Sequence, residues 1–357
     1  MSSFLEIHLP RIEKNASSIV KLCHKNQVSC FGVTKVFCAE ENIVRAMIKG
    51  GVDGLADSRI ENIAKLRKMK TGLPLMLLRI VSPSEASEVV ELCDYSLNSE
   101  ISTLKKLDAA AKKQKKRHKV VAMIDIGDLR EGMMADEVMN FFAQAVKLKN
   151  IRIAGIGTNT ACFGGVIPTT ENMNQILAIK ALLEMQFGLS LDMVSGGNSS
   201  GLPLLASGKM PKGINHFRVG EAMVLGRNVI DRSPFPGTRQ DTFIFKGEIV
   251  EYRVKPSVPI GNRGQNAFGE TDEFPQRGEI RRAIIAAGRQ DLKLDGLTPV
   301  DPETKILGGS SDHLIVEVKG DPSRYKVGGF MPFYPNYGCL LALATSPYIR
   351  KKVIGDG

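Results

Sequence analysis

The stretch CFGVTKV, residues 30–36, introduces the pattern on which most of the chain is built. A short apolar run ends in a lysine, and a longer segment with helically spaced apolar residues, Glu40 to Lys49, follows it. Comparable units recur along the chain to about residue 230. Short strands that alternate with helices indicate a parallel sheet with helical crossovers, which places the chain in the α/β class.

The strand and helix unit recurs often enough to predict a closed (β/α)8 TIM barrel. An open doubly wound sheet stays an alternative, because short strands are difficult to count from sequence. The eight predicted strands are Cys30 to Val36, Gly54 to Asp57, Pro74 to Ile80, Asp94 to Leu97, Val120 to Ile126, Ile151 to Gly157, Leu191 to Val194 and Phe217 to Val219. Predicted helices between them include Glu40 to Lys49, Arg59 to Lys68, Ser84 to Leu92, Ala135 to Leu148 and Asn172 to Phe187.

The character of the sequence changes after Arg232, where SPFPGTRQ predicts a linker rich in Pro and Gly. We therefore expect a barrel domain over residues 10–232 and a C-terminal β-rich domain over residues 233–357, which an opening strand within residues 3–9 joins. The predicted strands of the second domain are Thr242 to Arg253, Ile280 to Ala287, Leu314 to Val318 and Gly338 to Leu343, with a loop at Gly261 to Gly278.

Composition argues against several classes of partner. The net charge is +10, yet no aromatic residue interleaves the densest basic run, residues 112–119, so we expect no nucleic-acid partner. No segment approaches the roughly 18 apolar residues that span a bilayer, so we expect no membrane partner. The opening residues lack a signal-peptide pattern, and the six cysteines lack paired or metal-ligand spacing. A cytoplasmic protein without a bound metal is the resulting prediction.

Lys35 is the first candidate for chemistry, because it stands at the C-terminal end of the first predicted barrel strand. Barrel enzymes place their reactive groups at that end of their strands. A partly desolvated lysine amine there is a better nucleophile toward a carbonyl carbon. The alternative is a strand-end lysine that extends its ammonium group to water.

Two loops follow the seventh and eighth predicted strands, SGGNSSG at residues 195–201 and RVGEAM at residues 218–223. Their glycine amides and serine hydroxyls suit a phosphate, and barrels of this kind bind phosphate after strands seven and eight. A phosphate held opposite a strand-one amine fits a phosphorylated aldehyde bound to Lys35 as a Schiff base. Ordinary Gly/Ser loops, or an unrelated phosphate ester with Lys35 as counter-charge, are the alternatives.

Two arginines extend this hypothesis. Arg218, beside the ring nitrogen of pyridoxal phosphate, would disfavour its protonation and weaken the cofactor as an electron sink, which opposes decarboxylation; a structural ion pair is the alternative. Arg130, in MIDIGDLREGM at residues 123–133, suits a substrate carboxylate because its guanidinium is a planar fork. Asp125 or Asp128 could equally pair with it and make it structural.

Taken in order, these residues resemble the alanine racemase family of fold type III pyridoxal-phosphate enzymes, in particular its branch of ornithine and related amino-acid racemases. The resemblance covers nearly the whole chain. It rests on a cofactor lysine, an Asn-Ser phosphate contact, an Arg-x-Gly motif and a D-x-G-x-x-R segment. In this sequence those positions are Lys35, Asn198, Ser199, Arg218, Gly220, Glu221, Asp125, Gly127 and Arg130.

The resemblance also implies a homodimer with shared active sites and pyridoxal 5'-phosphate as the cofactor. The segment SSDHLIVEV, residues 310–318, is similar to the part of the family that reaches the partner's site, which implies that Ser311 binds substrate. Tyr348 stands roughly where the family has a phosphate-binding tyrosine. Asn159 replaces a cofactor-contacting histidine, and Ala39 replaces a tyrosine that follows the lysine.

Function follows as an expectation: a racemase that interconverts the L and D forms of a free amino acid, such as the basic amino acid ornithine. The stretch Gly288 to Asp291 lacks the tyrosine that is the second base of alanine racemases. We therefore expect another residue in that role, in the first place Asp312 or His313; Asp291 and Cys162 are further candidates. A non-catalytic pyridoxal-phosphate-binding protein and a decarboxylase or aldolase of the same fold are the alternatives.

Overall fold

The computed structural model describes residues 3–271 and 273–355 of the chain. Its contacts divide the chain into two compact units. The barrel unit is Leu9–Gln240, and the β unit consists of strand β1 (Phe4–His8) with the residues from Asp241 onward. The division falls after Gln240, eight residues beyond the boundary predicted at Arg232.

Residues 233–240 belong to the barrel unit because they are bonded to it. The amide of Phe235 donates to the carbonyl of Gly226 at 2.8 Å. Asn15 and Arg239 exchange two hydrogen bonds, of 2.8 and 2.6 Å, through the Asn15 side chain and the Arg239 backbone. The Pro/Gly-rich segment is therefore a fixed part of the barrel surface, and the chain enters the β unit only beyond it.

The barrel unit is a closed barrel of eight parallel strands in sequential order, as predicted. Its strands are β2 Ser29–Val33, β3 Gly54–Asp57, β4 Leu75–Leu77, β5 Tyr95–Asn98, β6 His118–Met123, β7 Ile151–Gly157, β8 Met193–Ser195 and β9 His216–Val219. Its helices are α1 Leu9–Lys25, α2 Glu41–Lys49, α3 Ile60–Lys68, α4 Ala86–Leu92, α5 Ile101–Lys113, α6 Val138–Ala145, α7 Thr170–Phe187, α8 Leu202–Ala206 and α9 Glu221–Leu225.

Burial of apolar side chains explains why these segments fold as they do. Helix α1, which was not among the predicted helices, buries Ile12, Ala16, Ile19 and Cys23 at helical spacing. Inward-facing strand residues form one apolar cluster, since alternate side chains of a strand share a face. The buried members of this cluster are Phe31, Val33, Ala56, Met76, Leu97, Val121 and Met123.

Strand β2 is shorter than predicted and ends at Val33. Residues Lys35–Phe37 form a single 3-10 turn, and Cys38 and Ala39 follow in the left-handed region with φ of 55° and 53°. The prediction of a strand through Val36 is wrong, because an extended chain cannot contain this turn. Lys35 therefore lies two residues beyond the strand, still at its carboxyl end.

The β unit contains an eight-stranded, mostly antiparallel sheet, which agrees with the predicted β-rich domain. Strand β1 pairs with β10 and with β16, as expected for an opening strand that joins this domain. The other strands are β10 Phe243–Pro256, β11 Glu279–Ile285, β12 Leu297–Pro299, β13 Thr304–Gly309, β14 Leu314–Val318, β15 Phe330–Pro335 and β16 Arg350–Ile354.

One predicted strand of the β unit is a helix. Residues 338–343 lie within α10 (Tyr337–Thr345), because the Asn336 side chain caps its start by accepting from the Cys339 amide at 2.9 Å. Cys339, Leu340 and Leu343 point inward from this helix. In the described parts of both units, no helix combines the length and apolar character needed to cross a membrane.

Candidate active site

Lys35 is half-buried at the carboxyl end of the barrel. Burial lowers the pKa of its amine, because desolvation penalises the ammonium form; nearby charges modify this effect, with Cys162 raising the pKa and Arg130 lowering it. Asp57 and Glu131 also raise it, since their negative charges favour the ammonium. The sum is an amine that is more easily deprotonated than an exposed lysine.

The loops after β8 and β9 meet beside the end of β2. The hydroxyl of Ser199 accepts a hydrogen bond from the Ala222 amide at 3.3 Å, which joins the two loops. A Cβ placed on Gly220 would lie 3.1 Å from Cβ of Val33, two residues before Lys35. The Lys35 charge in turn lowers the pKa of Glu221, although burial, the larger effect, raises it. The predicted lysine and the two predicted loops therefore share one end of the barrel.

The Asn198 side chain holds the loop after β8. Its Oδ1 accepts from the Ser200 amide at 2.7 Å, and its Nδ2 donates to Oδ1 of Asn159 at 3.0 Å and to the carbonyl of Thr160 at 2.9 Å. Gly197 has φ of +111°, a conformation that glycine adopts without strain. Asn198 and Asn159, both predicted cofactor contacts, are thus bonded to each other.

The carboxylate of Glu221 is paired within the barrel unit. Arg232 donates to its Oε1 at 2.5 Å. This pairing reduces the repulsion that a bare carboxylate would exert on an anion at the start of α9. Any contact of Glu221 with a phosphate would thus come from its backbone amide.

Arg218 is buried inside the barrel mouth. Its Nη2 donates to the carbonyl of Thr158, and burial lowers the pKa of its guanidinium to about 10. The Nε of Arg218 and the Nδ2 of Asn159 are buried donors that find no hydrogen-bond acceptor among the described residues. Unsatisfied buried donors are costly, so these two atoms are available to hydrogen-bond a bound group.

The guanidinium of Arg130 is not paired with either of the two aspartates considered from the sequence. Asp125 accepts from the backbone amides of Gly127 and Arg130 itself, at 2.7 and 3.1 Å. Asp128 is occupied by backbone amides of the loop after β7. The guanidinium instead pairs with Glu131 and donates to the Cys162 sulfur.

Glu131 is a further candidate site residue, which was not predicted from the sequence. Its side chain is 16% exposed and raises the pKa of both Lys35 and Arg218, although burial, the largest effect on each, lowers it. Its position next to Arg130 in sequence was the available signal. Among the described residues, no group of three or more His, Cys, Asp and Glu side chains is placed to hold a metal ion.

The remaining predicted residues belong to the β unit. Ser311, Asp312 and His313 are exposed in the turn between β13 and β14, where the Ser311 hydroxyl donates to Asp312 at 2.8 Å. This turn packs on Gly288, whose Cβ would lie 2.5 Å from the Asp312 amide nitrogen. The structure thereby brings together the two segments considered for the second acid/base.

Asp291 and Tyr348 lie elsewhere in the β unit. Asp291 is buried and accepts from the Ser346 hydroxyl at 2.6 Å, which gives it a structural contact. Tyr348 is 65% exposed, and its amide donates to the same Ser346 hydroxyl at 3.1 Å. The exposed Tyr348 ring remains a predicted phosphate contact.

Comparison with known proteins identifies relatives over the whole chain. A sequence model of the alanine racemase N-terminal domain matches residues 7–228. The ornithine racemase of Acetoanaerobium sticklandii is 43% identical over 351 residues, which are 98% of this chain and 99% of that protein. The lysine racemase of Thermotoga maritima is 40% identical over 347 residues, which are 97% of each.

A solved structure shows the same fold at low identity. The alanine racemase of Bartonella henselae, described with covalently bound pyridoxal phosphate, aligns with a TM-score of 0.76 and 18% identity over all of both chains. The barrel followed by a β-rich unit is therefore a shared architecture.

Proposed function

The chain belongs to the alanine racemase family, and we propose that it racemises a free amino acid with a basic side chain, with pyridoxal 5'-phosphate held on Lys35. The observation that carries this proposal is the meeting of three features at one end of the barrel. They are the half-buried Lys35 amine, the Asn198–Ser200 loop and the Gly220–Ala222 loop. A carrier without catalysis, or a decarboxylase, is less favoured because the full-length relatives are racemases.

The residues of the barrel mouth fit the proposed cofactor. The Ser199 hydroxyl and the Glu221 amide are donors suited to a phosphate, whereas the amides of Ser200 and Ala222 already donate to Asn198 and Ser199. The buried and unpaired Nε of Arg218 suits the lone pair of an unprotonated ring nitrogen. Asn159, through its unpaired Nδ2, offers a further donor to the cofactor. An amine with a lowered pKa suits attachment to an aldehyde.

Pyridoxal phosphate, when bound, withdraws electrons from Cα of an attached amino acid and so makes its proton acidic. In our proposal the amino group of the substrate takes the place of Lys35 on the cofactor, and the Lys35 amine that this frees would remove the proton from one face of Cα. Arg130, whose Nε and Nη2 face Glu131, would orient the substrate carboxylate through the remaining N–H groups of its Nη1 and Nη2. Ser311, in the segment proposed to reach the partner's site, would contribute a hydroxyl there. Arg218 keeps the ring nitrogen unprotonated, which limits side reactions of a strong electron sink.

Racemisation also requires a proton donor on the opposite face of Cα. We propose that Asp312 or His313 supplies it, from the partner subunit of a homodimer with shared sites. Exposure of the turn that carries both residues supports this, since a group that reaches into a neighbouring subunit must lie at the surface. Tyr348 is proposed as a further phosphate contact. A cytoplasmic location stays a prediction from the sequence.

The basic substrate is proposed from the relatives, whose names are ornithine racemase and lysine racemase. A side-chain ammonium requires a carboxylate at its binding site. Glu131 of the barrel unit is one candidate, and Asp312, in the segment proposed to reach the partner's site, is the other. Glu131 already forms an ion pair with Arg130, whereas the bond recorded for Asp312 comes from the uncharged Ser311 hydroxyl. Of the two carboxylates, Asp312 is therefore the better candidate for binding an ammonium.

The test compares the parent chain with Lys35→Ala, and uses the exposed Lys49→Ala as its control. Each is incubated with L-ornithine, L-lysine and L-alanine, and the products are separated by chirality. We expect the parent and Lys49→Ala to form D-ornithine or D-lysine faster than D-alanine. Lys35→Ala should lose at least about a thousandfold in rate.

A second readout follows the cofactor itself. Borohydride treatment of the parent with pyridoxal phosphate should add the cofactor mass to the peptide that contains Lys35. Racemisation by Lys35→Ala, label on a different lysine, or no D product from any of the three amino acids would refute the proposal.

A further inference from the structure

Lys35 lies in a turn that its own backbone hydrogen bonds hold weakly. The amide of Phe37 lies 3.4 Å from the carbonyl of Thr34, and the amide of Ala39 lies 3.2 Å from the same carbonyl. Cys38 and Ala39 both have positive φ, which residues other than glycine rarely adopt. A turn of this kind persists only where neighbouring groups hold it. The position of the Lys35 amine therefore depends on contacts from outside the turn.

Thr34 makes the shortest such contact. Its hydroxyl donates to Oδ2 of Asp57 at 2.5 Å, and its amide donates to the carbonyl of Ala56 at 2.9 Å. Thr34 and Asp57 are both fully buried, so water does not compete for this charge-assisted bond. Asp57 ends β3, which pairs with β2 in the barrel. The bond thus ties the lysine turn to a rigid strand.

The other carboxylate oxygen of Asp57 faces α3. It accepts from the Arg59 amide at 2.9 Å and from Nδ2 of Asn62 at 3.2 Å. An aspartate whose only task was to hold the start of α3 would form these same two bonds. The bond to Thr34 has no part in that task, since Thr34 belongs to the turn that carries Lys35.

Charge adds a second effect of Asp57 on the amine. The titratable and charged groups that act on Lys35 are Cys162, Arg130, Asp57, Glu131 and Glu221. Of these five, Asp57 is the one that is fully buried. A buried carboxylate acts through a medium of low dielectric constant, so its charge is screened little. Its effect on the pKa of Lys35 comes after those of burial, Cys162 and Arg130, and burial also raises the pKa of the Asp57 carboxyl itself.

We propose that Asp57 is a positioning residue for Lys35, which fixes the lysine turn through Thr34 and stabilises the protonated amine with its buried charge. The inference rests on the proposed function in one respect, namely that the Lys35 amine accepts a substrate proton. An amine that has taken up a proton is an ammonium, and the Asp57 carboxylate stabilises this ammonium until the amine releases the proton.

The experiment uses the full chain and four variants. Asp57→Asn removes the charge, Thr34→Val removes the hydroxyl at nearly constant shape, and Thr34→Ser restores a hydroxyl. Asn62→Ala is the matched control, because it removes a bond between Asp57 and α3 without touching the lysine turn. Thermal unfolding is recorded for each variant, so that a folding defect is recognised.

The first readout is the pH dependence of Lys35 acetylation before cofactor is added, followed by peptide mass spectrometry. Loss of the Asp57 charge lowers the pKa of the amine, so the midpoint for Asp57→Asn should move to lower pH. Asn62→Ala should keep the parent midpoint. The second readout is kcat for racemisation, which should fall about tenfold in Thr34→Val and recover in Thr34→Ser.

An unchanged acetylation midpoint in Asp57→Asn would overturn the charge effect. Equal loss of kcat in Thr34→Val and Asn62→Ala would overturn the positioning effect and leave a purely structural residue. If Asp57→Asn does not fold, the two Thr34 variants still decide the positioning effect. If the parent chain racemises no amino acid, the proposed function fails, whereas the acetylation midpoint still reports whether Asp57 acts on Lys35.

Discussion

Arg130 donates a hydrogen bond from Nη1 to the sulfur of Cys162 at 3.1 Å. Arg130 lies in the loop after β6 and Cys162 in the loop after β7, so the bond joins two neighbouring loops of the barrel mouth. The Nε and Nη2 atoms of the same guanidinium face Glu131. A thiol on one side and a carboxylate on the other thereby set the orientation of the guanidinium plane.

Replacement of Arg130 by lysine should weaken substrate binding more than turnover. A lysine ammonium keeps the charge but cannot present a planar fork to a carboxylate. We expect KM for the amino acid to rise about tenfold with a smaller change in kcat, measured by chiral chromatography at varied substrate concentration. Arg152→Lys is the control, because Arg152 forms an exposed pair with Asp192. An equal KM in both variants would count against a carboxylate contact.

Removal of the Asp128 carboxylate should loosen the loop after β7. Asp128 is 1% exposed and accepts from the amides of Cys162, Phe163 and Val166, the last two at 3.0 and 3.1 Å. Asp128→Ala leaves these donors unpaired, so we expect hydrogen exchange in residues 161–166 to accelerate at least about tenfold. Exchange mass spectrometry measures this, with the exposed Asp136→Ala as control. Unchanged hydrogen exchange of residues 161–166 in Asp128→Ala would contradict the conclusion that Asp128 holds this loop.

A methyl group on Gly155 should destabilise the barrel. Its Cβ would lie 2.0 Å from the carbonyl oxygen of Met193, the residue paired with Gly155 between β7 and β8. Backbone atoms cannot yield as a flexible side chain does, so we expect Gly155→Ala to cost about 3 kcal/mol in the free energy of unfolding. Urea unfolding tests this. Gly264→Ala, whose Cβ would meet nothing within 4 Å, should stay near the parent value.

Two buried histidines should make the barrel less stable in mild acid. Burial lowers the pKa of His118 to about 4 and that of His216 to about 3, while each ring is bonded to a serine, Ser96 or Ser195. Below pH about 6.5 the unfolded chain binds a proton at each histidine, whereas the folded chain does not until its lower pKa is reached. Stability therefore falls as the pH drops through this window.

Between pH 7 and pH 5 we expect each of these histidines to cost the folded state about 2 kcal/mol. Denaturant unfolding at the two pH values gives the difference. In His118→Gln the difference should shrink by about that amount, whereas the exposed His313→Gln should leave it unchanged. A pH dependence that persists in full in His118→Gln would rule out this source.

The barrel strands could be predicted because each is a short apolar run flanked by helical spacing. The segment 338–343 is also a short apolar run, and for that reason it was wrongly predicted as a strand. An apolar run of this length shows neither a clear period of two nor one of 3.6. Asn336, three residues before Cys339, was a capping signal that the apolar pattern concealed. Predictions from the local pattern were therefore correct where flanking segments show a helical period, and wrong where the apolar run shows no period.

The candidate site divides in the same way. Lys35 and the two glycine-containing loops were predictable, because each follows a barrel strand. A lysine amine and loops with glycine amides and serine hydroxyls are also recognisable from the sequence. The Arg130–Cys162 and Thr34–Asp57 bonds were not, since they join residues 32 and 23 positions apart. Of the aspartates nearest to Arg130 in sequence, Asp125 instead accepts backbone amides of its own loop, and Asp128 accepts those of the loop after β7.

The sequence by itself determined the alternation of strands and helices around the barrel and the barrel end at which Lys35 stands, because both depend on local apolar spacing. The tertiary structure alone decided which carboxylate meets Arg130, that Asp57 accepts from Thr34 next to Lys35, and which donors remain unpaired among the described residues. Those outcomes depend on loop conformation and on exclusion of water, and both arise only when distant segments pack together.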